Sequence, residues 1–454
     1  MMQRRGAAWT RGVAVTAAAA IPLLAGSALS GCGVEQLAHQ RLLVWHDWPE
    51  PESAVLTELL SSYEDLDPDL DLIVEYVPAD QIEARFTTEV QSGFGPDLLI
   101  GADAGDLAGL VAQDAVHRIS SAEVAEHDFG QLDERAMASM AVDGVQRGIP
   151  LTGFTPVLYY REGVMPPRTL DQIVELAEDG HTTAIPLDFF RAYWGVDAFG
   201  GSVFAPDGEV APDQGFADWM AWLAEARPQP NVILDGEYEM LRDLFAAGEI
   251  DVFVGGSREL GNFRTILQGA DDTPPEQGVV RSGDLPIPDD TVPDDTEPAT
   301  PAIDVASPTL TNIGDLTFGV TTLPRGSNEA PGGLLDVEGM IVNEHTDSLD
   351  GTLDLMEYLT NVPSQGRIAR SGVGRIPING AVSIDPTISP IEAALVAQQE
   401  RAAVLPDGIQ DERTALREVA NDVYLQVTRG LLDPDEAATA LTDEFDEAKD
   451  ANDE

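Results

Sequence analysis

Between Arg41 and the region of Asp106, short apolar runs alternate three times with apolar residues at helical spacing. That alternation restricts the fold more than any other feature of the chain. RLLVW, closed by the turn-rich HDWPEPE, reads as a buried strand. Val55, Leu56, Leu59, Leu60 and Tyr63 then recur at helical spacing, with Pro51 placed for the first turn. LDLIVEYVP predicts a second strand, and Ile82, Phe86 and Val90 mark a second helix. After Gly93-Phe94-Gly95-Pro96, DLLI predicts a third strand, and a third helix begins near Asp106. Repeated strand–helix units build a largely parallel sheet with right-handed crossovers, so the loops after the first and third strands open on the same edge, where α/β folds bind ligands. Asp47 and Trp48 are therefore expected to face one crevice with Asp103. Trp45, inside the strand, is expected in the core, and His46 in a structural turn.

A chain of 454 residues exceeds one ordinary core. A second lobe is expected to open within GIPLTGFTPVLYYREG. Predicted helices follow at Thr169 to Glu178, Gly215 to Ala226, Leu241 to Ala247 and Arg258 to Leu267, with a strand at DVFVGG. From Asp271 to Pro308 the composition turns to Pro, Asp and Thr, in which prolines remove donors and carboxylates repel. A loosely laid or disordered insertion is expected there. The order returns with GDLTFGVTTLP, GLLDVEGMIVN and the helix DGTLDLMEYLT. The expected division is residues 41–150 plus about 333–375 for one lobe, and 151–332 plus about 376–454 for the other.

Charge limits the partners. With 25 basic against 80 acidic residues the net charge is −55, which repels nucleic acid and anionic lipid headgroups. Lys449 is the one lysine; every other basic residue is arginine. High acidity with scarce lysine suits a salt-bathed surface, and GC-rich coding is an equal explanation. The N-terminus reads as processing: Arg4, Arg5 and Arg11 precede an apolar Ala/Gly-rich stretch that ends in Leu29-Ser30-Gly31-Cys32, which resembles a bacterial lipobox. On that reading residues 1–31 are a lipoprotein signal peptide. Cys32 is the lipid-modified first residue of the mature chain, and 32–40 form a tether. A single cysteine excludes an internal disulfide.

Catalytic templates are absent: there is no HExxH, GxSxG or P-loop, and the six histidines show no metal-ligand spacing. No cofactor, metal or catalytic residue is expected. With 80 acidic residues, a carboxylate pair suited to glycoside hydrolysis carries no weight. Aromatic residues are only 6% of the chain and gather at strand ends and loops: Trp48, Phe154, Phe189, Phe190, Trp194 and Tyr238. Rings that stack on sugar C–H faces, beside carboxylates that accept from hydroxyls, suit a small-molecule cleft. Arg191 and Arg258 pair either with an acidic sugar or with surplus carboxylates of the chain itself.

Across almost the whole mature chain, segments such as LLVWHDWPEPE, YVPADQIEARFTTEVQSGFGPDLLIG, GIPLTGFTPVLYYREG, DVFVGGSRELGNF and VEGMIVN with GVGRIPIN resemble family-1 extracellular solute-binding proteins of ABC importers, the group of the maltose and maltodextrin receptors. The resemblance implies an α/β, two-lobe, type II periplasmic-binding-protein-like fold with the ligand cleft between the lobes. It also implies a monomer that delivers a carbohydrate to membrane permease subunits of an ABC transporter. By position, ligand contacts fall on Asp47, Trp48 and Asp103 of the first lobe. In the second they fall on Phe154, the Phe189 to Trp194 run including Phe190 and Arg191, Tyr238 and Arg258. Two features depart from the pattern: Gly256-Ser257-Arg258 stands where maltose receptors carry Gly-Pro-Trp, and an aromatic platform near Ala415 and Leu416 is missing. A surface carbohydrate-active enzyme, lyase or hydrolase, and a sensing lipoprotein without transport are the alternatives.

Overall fold

The computed structural model describes residues 40–268, 279–281, 310–313, 316–328, 330–406, 409 and 412–453. Cys32, the signal segment and most of the Pro/Asp/Thr-rich insertion lie outside the described residues. Among the described residues, no helix is long and apolar enough to cross a membrane.

The N-terminal alternation folds as its periodicities require: β1 (Gln40–His46), α1 (Glu52–Glu64), β2 (Leu70–Tyr76), α2 (Ala79–Gln91), β3 (Leu98–Asp103) and α3 (Ala104–Ala112). β1 pairs in parallel with both β2 and β3, so the loops that follow His46 and Asp103 share one edge of the sheet. Trp45 is buried there, as its place in the strand predicts. α3 starts on a reciprocal cap. The Asp103 carboxylate accepts from the backbone N–H of Gly105 and Asp106, and Asp106 accepts from the Asp103 backbone, which satisfies donors that a helix start leaves open. Antiparallel strands Asp336–Val342 and Gly148–Phe154 extend the sheet beyond β3, and Ile376–Pro377 closes that side. The other edge carries Val279–Arg281, antiparallel to β2. This short strand lies inside the stretch expected to be loosely laid.

Among the described residues, the second sheet holds six strands in the order Thr311–Ile313, Leu316–Thr321, Pro156–Arg161, Val252–Gly256, Thr183–Pro186, Val232–Asp235. Helices cover both faces. In Pro156–Arg161, Val157 and Tyr159 enter one apolar cluster and Leu158 and Tyr160 the other, the two-residue period of a strand buried on both sides. The chain crosses between sheets at Thr155, between Phe154 of the first and Pro156 of the second, returns to the first sheet at Val279–Arg281, lies in the second again by Thr311–Ile313, and crosses back between Thr321 and Asp336. The expected break at residue 150 thus falls inside a strand of the first sheet. Ile376–Pro377, expected in the second lobe, pairs instead with Gly148–Phe154.

Candidate ligand-binding site

A cleft of about 620 Å³ lies where the two sheets meet, within the size range of small-molecule sites. The loop after β1 supplies Asp47, the first turn of α1 supplies Glu52, the crossover supplies Phe154 and Thr155, and Gly256 to Glu259 lie at and just beyond the end of a central strand of the second sheet. Helical segments add Phe190, Arg191, Tyr238, Arg413 and Arg417.

The floor is a buried charge cluster. Arg375, fully buried, donates through Nε to Glu52 Oε2 at 2.5 Å and through Nη1 to Glu338 Oε2 at 2.5 Å and Thr152 Oγ1 at 3.0 Å. Arg258 reaches from the second sheet to the same two carboxylates, 2.8 Å from Glu338 Oε1 and 3.4 Å from Glu52 Oε2. Burial opposes ionisation of Glu338, but Arg258 and Arg375 outweigh it and hold the carboxyl below the usual range. Gly374 allows this packing: its φ is +82°, and a Cβ there would fall 1.9 Å from the Ser257 carbonyl oxygen.

Asp47 lies beside that cluster without joining it. Its Oδ1 is buried without a protein partner among the described residues. Burial, and then the nearby Glu338, push its carboxyl up to about 7 against the pull of Arg375 and Arg258. Gly101, at φ +116°, leaves it room; a Cβ there would come within 1.8 Å of Asp47 Oδ1. His46, buried just before it, is lowered to about 4 by burial and then by Arg375. Thr155 Oγ1 and Ser257 Oγ, also on the cleft wall, likewise lack protein partners among the described residues.

Guanidinium groups cover the aromatic faces. Arg191 lies 3.7 Å from the Tyr238 ring centroid, Arg258 4.3 Å from Phe154 and Arg413 4.6 Å from Phe190. The Tyr238 hydroxyl donates to Glu259 at 2.8 Å and accepts from the Gly256 N–H at 2.9 Å. Burial, then Glu259, raise its pKa. Asp188, buried, accepts from Arg191 at 3.2 Å and from Arg417 at 2.6 Å.

Of the residues singled out from sequence, Asp47, Phe154, Phe190, Arg191, Tyr238 and Arg258 come together on this wall. Three do not. Trp48 is fully buried in the core of the first sheet, beneath Arg375. Phe189 and Trp194 are fully buried in the second core. The run FFRAYW forms the helical turns Phe189–Ala192 and Trp194–Ala198. The turn sends Phe189 inward onto Tyr193, Trp194 packs 5.3 Å from Trp219, and Phe190 and Arg191 are left outward. Asp103 faces a neighbouring chamber, bound to Arg413. Glu52, Glu338, Arg375, Arg413 and Asp336 went unmarked. An arginine between Gly374 and the apolar Ile376 was the one available signal of a buried cation.

A sequence profile for bacterial extracellular solute-binding proteins matches residues 58–394. The chain belongs to that family. Such proteins work outside the cytoplasm, capturing solutes for import by ABC transporters. The chain is 21% identical over 239 residues to the maltotriose-binding protein of Pyrococcus abyssi, covering 49% of this chain and 51% of that one; it thus spans about half the length of that curated relative. The fold is that of two-lobe sugar receptors. The GacH receptor of Streptomyces glaucescens, solved unliganded and with acarbose, superposes with a TM-score of 0.64 at 16% identity, over 90% of this chain and 98% of the receptor. The maltose-binding protein MalE of Listeria monocytogenes, solved with maltose, gives 0.68 at 15% identity, over 90% and 97%.

Proposed function

We propose that this solute-binding protein captures an uncharged oligosaccharide of the maltodextrin class in the cleft between its sheets, releases it chemically unchanged to permease subunits, and is held to the membrane by a lipid on Cys32. One observation carries the reading of the ligand. In a chain with 80 acidic and 25 basic residues, the described cleft wall sets Asp47, Glu52, Glu239, Glu259 and Asp336 against Arg191, Arg242, Arg258, Arg413 and Arg417. The wall is balanced where the rest of the molecule is strongly negative. Its arginines are engaged by carboxylates of the chain itself, which favours a neutral polyol over an acidic sugar. Hydroxyls of such a ligand donate to the carboxylates and accept from the guanidiniums, and sugar rings pack on Phe190 and Tyr238 when the arginines shift.

Asp47, Phe154, Phe190, Arg191, Tyr238 and Arg258 are the proposed contacts. Uptake of radiolabelled malto-oligosaccharide by cells lacking the chain tests the reading. Wild type restores uptake, Tyr238→Ala with Phe190→Ala does not, and Cys32→Ser moves the protein into the medium. Uptake that is indifferent to the chain contradicts the proposal.

A further inference from the structure

The cleft has a second chamber, of about 790 Å³, lined by Glu83, Asp103 and Asp106 on one side and Glu418 and Asn421 on the other. The two chambers share Phe190, Arg413 and Arg417 as their common wall. Arg413, at the start of the helix Arg413–Thr428, reaches across to the first sheet. It donates from Nη1 to Asp103 Oδ2 at 3.1 Å and from Nη2 to Asp336 Oδ1 at 2.9 Å. Its guanidinium lies over Phe190, and Arg417 flanks the same ring at 5.9 Å. The anchor is rigid, because the other oxygen of Asp103 is committed to capping α3.

Resting on the sugar reading above, we propose that Arg413 is a specificity-determining crossbar: it closes the main chamber at Phe190 and sets the length of oligosaccharide the protein accepts. A chain that outgrows the main chamber meets an ion bridge to two separate carboxylates and a ring face already covered by a cation. To pass, it breaks two charge-assisted bonds without replacing them. Removing the guanidinium joins the chambers into one trough and frees Phe190 for stacking.

The test is calorimetric titration of wild type, Arg413→Ala, Arg413→Lys and Asp103→Asn with a ladder of linear malto-oligosaccharides, from the disaccharide upward. Asparagine caps a helix as well as aspartate does, so Asp103→Asn weakens the bridge and keeps α3. In Arg413→Ala the ratio of long-chain to short-chain affinity rises on the order of tenfold. It rises less in Arg413→Lys and Asp103→Asn. The same ratio in wild type and Arg413→Ala overturns the crossbar while leaving the sugar reading intact. Absence of binding to every rung by folded wild type overturns the sugar reading itself. Thermal melts, with no sugar present, then judge the bridge: the losses for Arg413→Ala and Asp103→Asn combine sub-additively in the double variant, and strict additivity refutes it.

Discussion

The guanidinium carbon of Arg375 sits 3.5 Å from the ring centroid of Trp48, so the indole face forms the base on which the buried charge cluster rests. This relationship changes what Trp48 is for. From position alone, Trp48→Ala removes a ligand contact. With the ring fully buried, the same change opens a cavity under Arg375 and costs about 3–5 kcal/mol of stability. Arg375→Met leaves Glu52 and Glu338 with Arg258 alone, and losing one partner of a buried ion cluster also costs about 3–5 kcal/mol. Chemical denaturation checks both; losses under 1 kcal/mol for either place the cluster outside the structural core.

Asp47 gives the fold a pH dependence whose sign follows from linkage. Its folded carboxyl is raised to about 7 from an ordinary value of 3.8, so the folded state holds a proton that the unfolded state has lost. The stability it confers is complete below the ordinary value and disappears as pH rises through 7. His46, lowered from 6.5 to about 4, acts in the opposite sense: its contribution is present above its ordinary value and lost as pH falls through 4. Asp47→Asn removes the first effect alone. Unfolding free energies measured as a function of pH then show the variant gaining on wild type from pH 4 to above 7 and holding level beyond. A difference that does not vary with pH counts against this assignment.

The aromatic residues divide into two groups that mutagenesis separates. Phe189→Ala and Trp194→Ala remove fully buried rings and lower stability by about 3–5 kcal/mol. Phe190→Ala and Tyr238→Ala act chiefly on ligand affinity, with losses of tenfold or more where a stacking face is removed. The check is melting temperature against dissociation constant for all four. Equal loss of affinity with no loss of stability at Phe189 and Trp194 returns them to the cleft.

Gly101→Ala tests the room left for Asp47. The substitution places a β-carbon on the carboxylate and strains a left-handed backbone, at a cost of more than about 1 kcal/mol. The displaced carboxyl loses its raised pKa, so the pH profile of Gly101→Ala approaches that of Asp47→Asn. An unchanged profile disconnects Gly101 from Asp47.

Much of the fold was legible because periodicity reports burial directly. Three strand–helix units, and the loops they place on one edge, follow from where apolar residues recur between Leu42 and Leu110. The site was legible by loop, and by residue only in part. Helical phase within FFRAYW decides which ring faces the cleft, and that phase depends on where a short turn begins, capped by Asp188. Trp48 lies one residue beyond Asp47, and its burial depends on Arg375, 327 positions later in the chain. Ion partners such as Glu52 with Arg375, or Arg413 with Asp103, join segments that only the finished topology brings together. In a sequence with 80 carboxylates, nothing local marks the few that pair.

On the proposed function, the cleft receives a neutral oligosaccharide and returns it unaltered. Titration of intrinsic tryptophan fluorescence with a panel of sugars, each recovered afterwards for chromatography, tests it most directly. The expected result is saturable binding of one maltodextrin-class oligosaccharide per chain, recovered intact, with acidic sugars binding more weakly. Turnover of the sugar, or no response to any neutral oligosaccharide, contradicts it.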